Sequence, residues 1–235
     1  MKNLDLEFKV ALFSFALFAY SFSPSFAQTA PEFLVSWRAM NYVPADYLGK
    51  ILPSKSSRAE AGFDLIDNKK LVDLSKININ WYLNGQLLNS GVGLKTATIN
   101  INSDLAQTIR ITVSSYKGAD IDQTFLLPVI KPEIVINTKL INTDNAGNRM
   151  RLTPKNHLFE ARPFFFNVNN LRELGFRWRV NDKLIEGISG TPEFLSLNLE
   201  SPGSPTETEL TVSSGINNLF NQLEFAGKSL NFIVK

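Results

Sequence analysis

In residues 96–101 apolar side chains fall on every second position: Ala97, Ile99 and Ile101 alternate with Thr96, Thr98 and Asn100. Residues 108–114 repeat the pattern with Ile109, Ile111 and Val113 against Thr108, Arg110, Thr112 and Ser114. A period of two is that of an extended strand with one face in a core and the other in water. Residues 77–83, carrying Trp81, run into Asn84-Gly85, and 86–89 return from it. Asn-Gly is the strongest two-residue hairpin signal because both residues accept a positive φ. Asn181-Asp182 holds the corresponding place further along, a turn with less freedom for want of glycine. Earlier strands are expected at 63–66 and 164–168, and closing strands at 122–130 and 228–234. In 217–225 the spacing of Leu219, Phe220 and Leu223 predicts a helical turn between the last two strands.

The chain repeats itself. Pro31-Glu32-Phe33-Leu34-Val35 returns as Pro132-Glu133-Ile134-Val135-Ile136, Glu60-Ala61 as Glu160-Ala161, Trp81 with its turn as Trp178, and Thr112-Val113-Ser114-Ser115 as Thr211-Val212-Ser213-Ser214, at offsets of 101, 100, 97 and 99 residues. Order and spacing are both kept, so two copies of one domain are expected, 28–131 and 132–235. They meet at Val129-Ile130-Lys131-Pro132 with no Gly/Ser linker, a junction that should restrict motion between them. Short strands with turn signals every 8–12 residues and one inward Trp per copy are the sequence form of a seven-strand sandwich. The fold class is therefore all-β: two tandem immunoglobulin-like β-sandwich domains after an N-terminal signal peptide. On the strand Trp, the turn that follows it and the Thr-Val-Ser-Ser strand, the chain resembles the immunoglobulin-like and PKD-like modules common in bacterial surface proteins. Residues 28–37 also resemble the start of exported proteins of small-genome bacteria, a resemblance that implies no activity.

Residues 10–22 are an apolar run, followed by Ser23-Pro24 and the small-residue site Ser25-Phe26-Ala27. This reads as a secretory signal peptide over 1–27 cleaved before Gln28. The alternative is an uncleaved N-terminal anchor, for which the run is short of the ~20 apolar residues of a span. No transmembrane segment is expected beyond it. The formal net charge of +2 implies no nucleic acid and no other polyanionic partner. An exported chain without cysteine has no disulfide framework, so its cores must hold by packing alone. None of its asparagines begins an Asn-x-Ser/Thr sequon. Export to the periplasm, cell envelope or extracellular space is the expected localisation.

Candidate chemistry is sparse. A nucleophile needs a base, and the chain has no Cys and a single His157, placed by its neighbours in a loop. Too few nitrogen and sulfur ligands exist for zinc. Asp120 and Asp122 are candidates for calcium, two carboxylates on one face of an extended segment about 6–7 Å apart, and the oxygen-rich 144–148 turn is a second; neither completes a ligand set. Glu60 and Glu160 could serve carboxylate-dependent hydrolysis, but recurrence once per domain fits a solvated strand-entry residue better than a catalytic pair. No cofactor is expected. The segment 37–53 has no counterpart in the second copy, and its Trp37, Met40, Tyr42, Tyr47 and Leu48 are the candidate partner-binding residues, since amphipathic aromatics concentrate at binding hot spots. Phe164, Phe165 and Phe166 should divide between two strand faces, core and interdomain. The function expected is that of a non-enzymatic exported bacterial envelope or surface protein, a protein-binding or structural module pair whose partner is a protein or cell surface. Alternatives are a periplasmic pilus-type chaperone with two immunoglobulin-like domains and a carboxylate-dependent secreted hydrolase.

Overall fold

Alternation of buried and exposed residues builds nearly every element. The computed structural model describes residues 30–138, 150–152, 155–199 and 208–234; the leader-like segment 1–27 and the 144–148 turn lie outside the described residues. In chain order the strands are β1 Glu32–Ala39, β2 Arg58–Asp67, β3 Lys70–Leu71, β4 Asn78–Leu83, β5 Gln86–Val92, β6 Thr96–Asn100, β7 Gln107–Tyr116, β8 Ala119–Leu127, β9 Glu133–Thr138, β10 Met150–Leu152, β11 Asn156–Phe164, β12 Leu174–Val180, β13 Lys183–Ile185, β14 Phe194–Asn198, β15 Thr208–Asn218 and β16 Phe225–Val234. A single 3₁₀ turn, Leu171–Glu173, is the helical element among the described residues. No helix there is long and apolar enough to cross a membrane.

The chain divides into two compact units. The small one joins the described residues up to Phe33 with Leu65–Val72. In it the end of β2 turns through Asn68 and Lys69, both at positive φ, and pairs back onto β3 through Ile66↔Leu71 and Asp67↔Lys70. The large unit carries the sandwiches. In the first, one sheet orders β1-β2-β6 and the other β5-β4-β7-β8. In the second the sheets order β9-β11-β14 and β13-β12-β15-β16-β10. Apart from β3, which pairs with the end of β2 and has no counterpart, the second pair of sheets repeats the first and adds β10, which lies parallel to β16. Ile134, Phe159 and Leu195 from one sheet pack with Trp178, Val212 and Phe232 from the other in a single buried cluster. In the first sandwich Phe63 on β2 meets Trp81 on β4 edge-on, ring centroids 5.8 Å apart.

The duplication reaches individual hydrogen bonds. Trp81 Nε1 donates to Leu94 O at 2.9 Å and Trp178 Nε1 to Pro192 O at 3.0 Å. Asn84 N donates to Thr108 O, while Asn84 Oδ1 accepts from Thr108 N. Asn181 exchanges the same two bonds with Thr211. Both turns have two central residues at positive φ: 50° and 83° at Asn84-Gly85, 46° and 64° at Asn181-Asp182. Asp182 pays for the left-handed conformation that glycine adopts freely. Asp182→Gly is therefore expected to raise stability by about 0.5 kcal/mol, read as a higher urea midpoint at unchanged m-value.

These bonds correct the register of the repeat. Thr211 stands opposite Asn181 as Thr108, not Thr112, stands opposite Asn84, so the two Thr-Val-Ser-Ser strings are four residues out of step. Ala161 N donates to Glu193 O as Phe63 N donates to Lys95 O, so Glu60-Ala61 and Glu160-Ala161 are two residues out of step. Both slips are even and preserve which residues face the core, which is why alternation does not reveal them.

Three local expectations are also corrected. Residues 164–168 are not a strand: β11 ends at Phe164, and Phe165 takes φ +63°, so Phe165 and Phe166 are both buried instead of alternating. Residues 217–225 form no helical turn; β15 continues to Asn218, whose Oδ1 accepts from Phe220 N and Asn221 N and folds the chain into a tight loop leading to β16. His157 lies not in a loop but on β11, buried, its ring 6.4 Å from that of Phe159.

Candidate functional site

The segment 37–53 leaves β1 and crosses to the second sandwich. Tyr42 N donates to Phe166 O and Phe165 N to Tyr42 O, both at 2.7 Å. The Tyr47 ring stands edge-on to Phe164 and Phe165 at 5.6 and 5.8 Å, and Asp46 pairs with Arg162. Burial is the main cause that pushes the Tyr42 phenol above its ordinary pKa; Glu193, Asp46 and Glu160 add to this and Arg162 opposes it. Trp37 is half-buried with Lys50 Nζ 3.5 Å from its ring centre. Of the five candidate partner-binding residues, then, Trp37, Tyr42 and Tyr47 are engaged within the chain. Met40 and Leu48 face outward, 49% and 100% exposed.

Behind this segment lies a buried polar network. Glu224, 6% exposed, accepts through Oε1 from Ser54 Oγ (3.1 Å) and Asn167 N (2.7 Å), and through Oε2 from Asn218 Nδ2 (2.6 Å). Asn41 Nδ2 donates to Ser54 Oγ and to Phe165 O, each at 2.7 Å. Asn167 Nδ2 donates to Ser56 O, and Ile130 N to Pro53 O. The strained Phe165 backbone is thus held from both sides, by Tyr42 O at its N–H and by Asn41 at its carbonyl. The Glu224 carboxylate at the centre of the network is satisfied through both oxygens, while Asn41 Oδ1 is buried without a partner; hydrogen-bonded buried groups of this kind rigidify what they join. Sequence reasoning missed it because its members lie up to 170 residues apart; the abundance of asparagine was the one visible sign.

The same network fixes the loop between β15 and β16. Asn218 N donates to Glu224 O, Glu224 N to Asn221 O, and Leu219 N to Glu173 O, each at 2.9 Å. On this frame Leu219, Phe220, Leu223 and Phe225 point outward, 54%, 82%, 90% and 69% exposed.

The acidic candidates are engaged locally. Asp122 Oδ1 accepts from Thr112 Oγ1 at 2.6 Å and Asp120 Oδ1 from Ser115 N at 2.7 Å, both on the exposed face of β8. Glu60 accepts from Arg38 Nε at 2.7 Å. Among the described residues no group of three or more His, Cys, Asp or Glu converges as a metal ion requires.

No family model matches the chain, and no match was found among the curated proteins. Among solved structures, the fibronectin(III)-like modules of Clostridium thermocellum CbhA align with 86% of this chain and 94% of their own length, at 13% identity and a TM-score of 0.27. The N-terminal Ig1-2 module of the Drosophila receptor protein tyrosine phosphatase DLAR aligns with 88% of this chain and 100% of its own, at 12% identity and a TM-score of 0.27. The Bacteroides ovatus mixed-linkage glucan utilization protein SGBP-B aligns with 88% of this chain, at 15% identity and a TM-score of 0.26; this chain spans 47% of that one. Superposition at this level carries no argument about activity. The strand pairing itself defines the class, an all-β chain of two stacked-sheet sandwiches.

Proposed function

We propose that the chain is a non-enzymatic binding and structural module pair that works outside the cytoplasm, in the periplasm, envelope or extracellular space of a bacterium, and engages a protein partner. The observation that carries this reading is the β15–β16 loop. Large apolar side chains project from it and from Phe225 at the start of β16, while the backbone N–H groups of Leu219, Phe220, Asn221, Leu223 and Glu224 are held by hydrogen bonds and the buried Glu224 carboxylate accepts three more. Exposed apolar groups on a pre-organised frame lose little entropy on binding, which is what a contact surface needs. Met40 and Leu48 extend the reading to the first sandwich, where Tyr42 and Tyr47 serve to hold the segment in place. Export rests on the apolar run 10–22, the small-residue site before Gln28 and the absence of cysteine. The chaperone alternative loses support from β8, whose outward row Asp120, Asp122, Thr124 and Leu126 holds a single apolar side chain and so no continuous apolar groove.

The test is recovery of cross-linked partners from the native envelope with the wild-type chain and with Phe220→Ser/Leu223→Ser. Both side chains are exposed, so the variant is expected to fold and to lose its principal partner at least tenfold. Recovery of the same partner in the same amount would overturn the reading.

A further inference from the structure

The strongest unexplained feature lies on the outer face of the second sandwich and meets that loop at Gln222 and Phe225. Arg177 and Arg179 flank buried Trp178 on β12 and point outward, about 6–7 Å apart by the rise of a strand. Cross-strand register puts them at the head of two rows, Arg177↔Gly215↔Gly227 and Arg179↔Ser213↔Ser229. Two adjoining clefts of about 360 and 460 Å³ lie over these rows and share Arg177 and Gly215, with Phe225 at one end.

The first sandwich shows what this face does when it has only itself to satisfy. Aligned through Trp81 and Trp178, the same two rows there are Asn80↔Thr112↔Asp122 and Tyr82↔Arg110↔Thr124. They are closed by their own side chains: Thr112 Oγ1 donates to Asp122 Oδ1 at 2.6 Å, Asn80 Nδ2 to Ser114 Oγ at 3.2 Å, and the Arg110 guanidinium sits 4.1 Å from the Tyr82 ring centre. In the second sandwich the Thr–Asp pair has become two facing glycines and the stacked Arg–Tyr pair has become serine beside an open arginine. Among the described residues the guanidinium groups of Arg177 and Arg179 have no ion pair, hydrogen bond or aromatic partner. The glycines are not imposed by the fold, since neither has a positive φ and a Cβ would meet nothing at Gly215 and only Ser214 O, at 4.0 Å, at Gly227. Interior strand glycines weaken a sheet and mark places where something approaches the backbone closely.

We infer that this face is a binding groove for an acidic polysaccharide, a chain of sugars bearing carboxylates. The two guanidiniums, with no acid lining either cleft, supply the charge complement and the planar fork that fits a carboxylate. Ser213, Ser229 and Asn217 are each both donor and acceptor, as sugar hydroxyls are. The bare glycine floor lets a ring lie flat on the sheet, and Phe225 offers an apolar surface to its C–H face. A peptide strand is the poorer fit. The floor of the groove is the face of the sheet at β15, which is paired with β12 and β16 along 212–217 and offers no main-chain edge there, and the floor holds no pocket for a side chain. The overall charge of +2 gives no hint of this, because the site depends on two unpaired groups and not on the sum.

Polygalacturonate, its fully methyl-esterified form and poly-L-glutamate serve as probes in calorimetry or affinity electrophoresis with the whole chain. Polygalacturonate is expected to bind, and the ester and the peptide to bind at least tenfold more weakly. Arg177→Ala/Arg179→Ala is expected to cost at least tenfold. Gly215→Thr/Gly227→Asp, which rebuilds the row found in the first sandwich, is expected to do the same at an unfolding midpoint no lower than that of the wild type. Absence of polygalacturonate binding, equal binding of ester or peptide, or full binding by the arginine variant overturns the inference. Should the glycine variant fail to fold, the arginine variant still decides. None of the four substituted residues belongs to the apolar loop, and Phe225, which the two surfaces share, is unchanged in every variant, so the protein-binding proposal stands or falls separately.

Discussion

Trp178→Ala is expected to destabilise the chain by about 3–5 kcal/mol, the range for removing a buried Trp and leaving a cavity. The indole is 1% exposed, sits in the buried cluster with Phe159, Val212 and Phe232, and donates from Nε1 to Pro192 O in the turn that leads into β14. Alanine removes the packing and also strands the Pro192 carbonyl, so two costs fall together. Trp178→Phe separates them: the ring returns but the donor does not, and about 1 kcal/mol should remain for the hydrogen bond. Trp81, 0% exposed and donating to Leu94 O, makes the same contribution in the first sandwich, and Trp81→Ala should match. Urea unfolding followed by far-UV circular dichroism measures all three. A loss below about 1 kcal/mol in Trp178→Ala would show that the second sandwich is not organised around this side chain.

What could be read from the sequence was what depends on neighbours along the chain. The strands at 96–101 and 108–114 were legible because a half-buried strand writes its burial as alternation, and Asn84-Gly85 because a hairpin turn constrains two adjacent residues. Register was not. Thr112-Val113-Ser114-Ser115 and Thr211-Val212-Ser213-Ser214 match as letters, yet cross-strand bonds pair Thr211 with Thr108, because similar alternating polar strands look alike when slid by an even number of residues. Residues 37–53 were legible as the segment that one copy has and the other lacks. The direction of its aromatics was not legible, since Tyr47 meets Phe164 and Phe165 more than a hundred residues away. Phe165 could not be foreseen at positive φ, because the groups that hold it there, Tyr42 O and Asn41 Nδ2, come from the other sandwich. Asp122 looked like a ligand in isolation; the structure gives it Thr112 across the sheet. Arg177 and Arg179 carry no signal in the sequence; only the cross-strand register shows which residues they replace.

Glu224→Ala is the second large effect expected, and it separates the polar network from the hydrophobic cores. The substitution leaves three donors without their acceptor at a buried position, the Ser54 hydroxyl, the Asn167 N–H and the Asn218 amide. Each orphaned buried group costs roughly 1–3 kcal/mol. They belong to one network and are not additive, so a total of about 3 kcal/mol is expected. Glu224→Gln keeps the shape and one carbonyl oxygen but turns an NH₂ toward at least one donor, and should lose about half as much. A stability change alone would not distinguish this site from any buried residue, so the second readout is amide hydrogen exchange at Phe165 and Asn167. Phe165 N–H is held by Tyr42 O and Asn167 N–H by Glu224 itself. If the carboxylate locks the two sandwiches together, both amides exchange faster in Glu224→Ala, while the amides of Ile111 and Val212, inside their own sheets, keep their protection relative to the new global stability. Unchanged exchange at Phe165 with a loss under about 0.5 kcal/mol would mean that Tyr42, Tyr47 and the Asp46–Arg162 pair hold the junction without it.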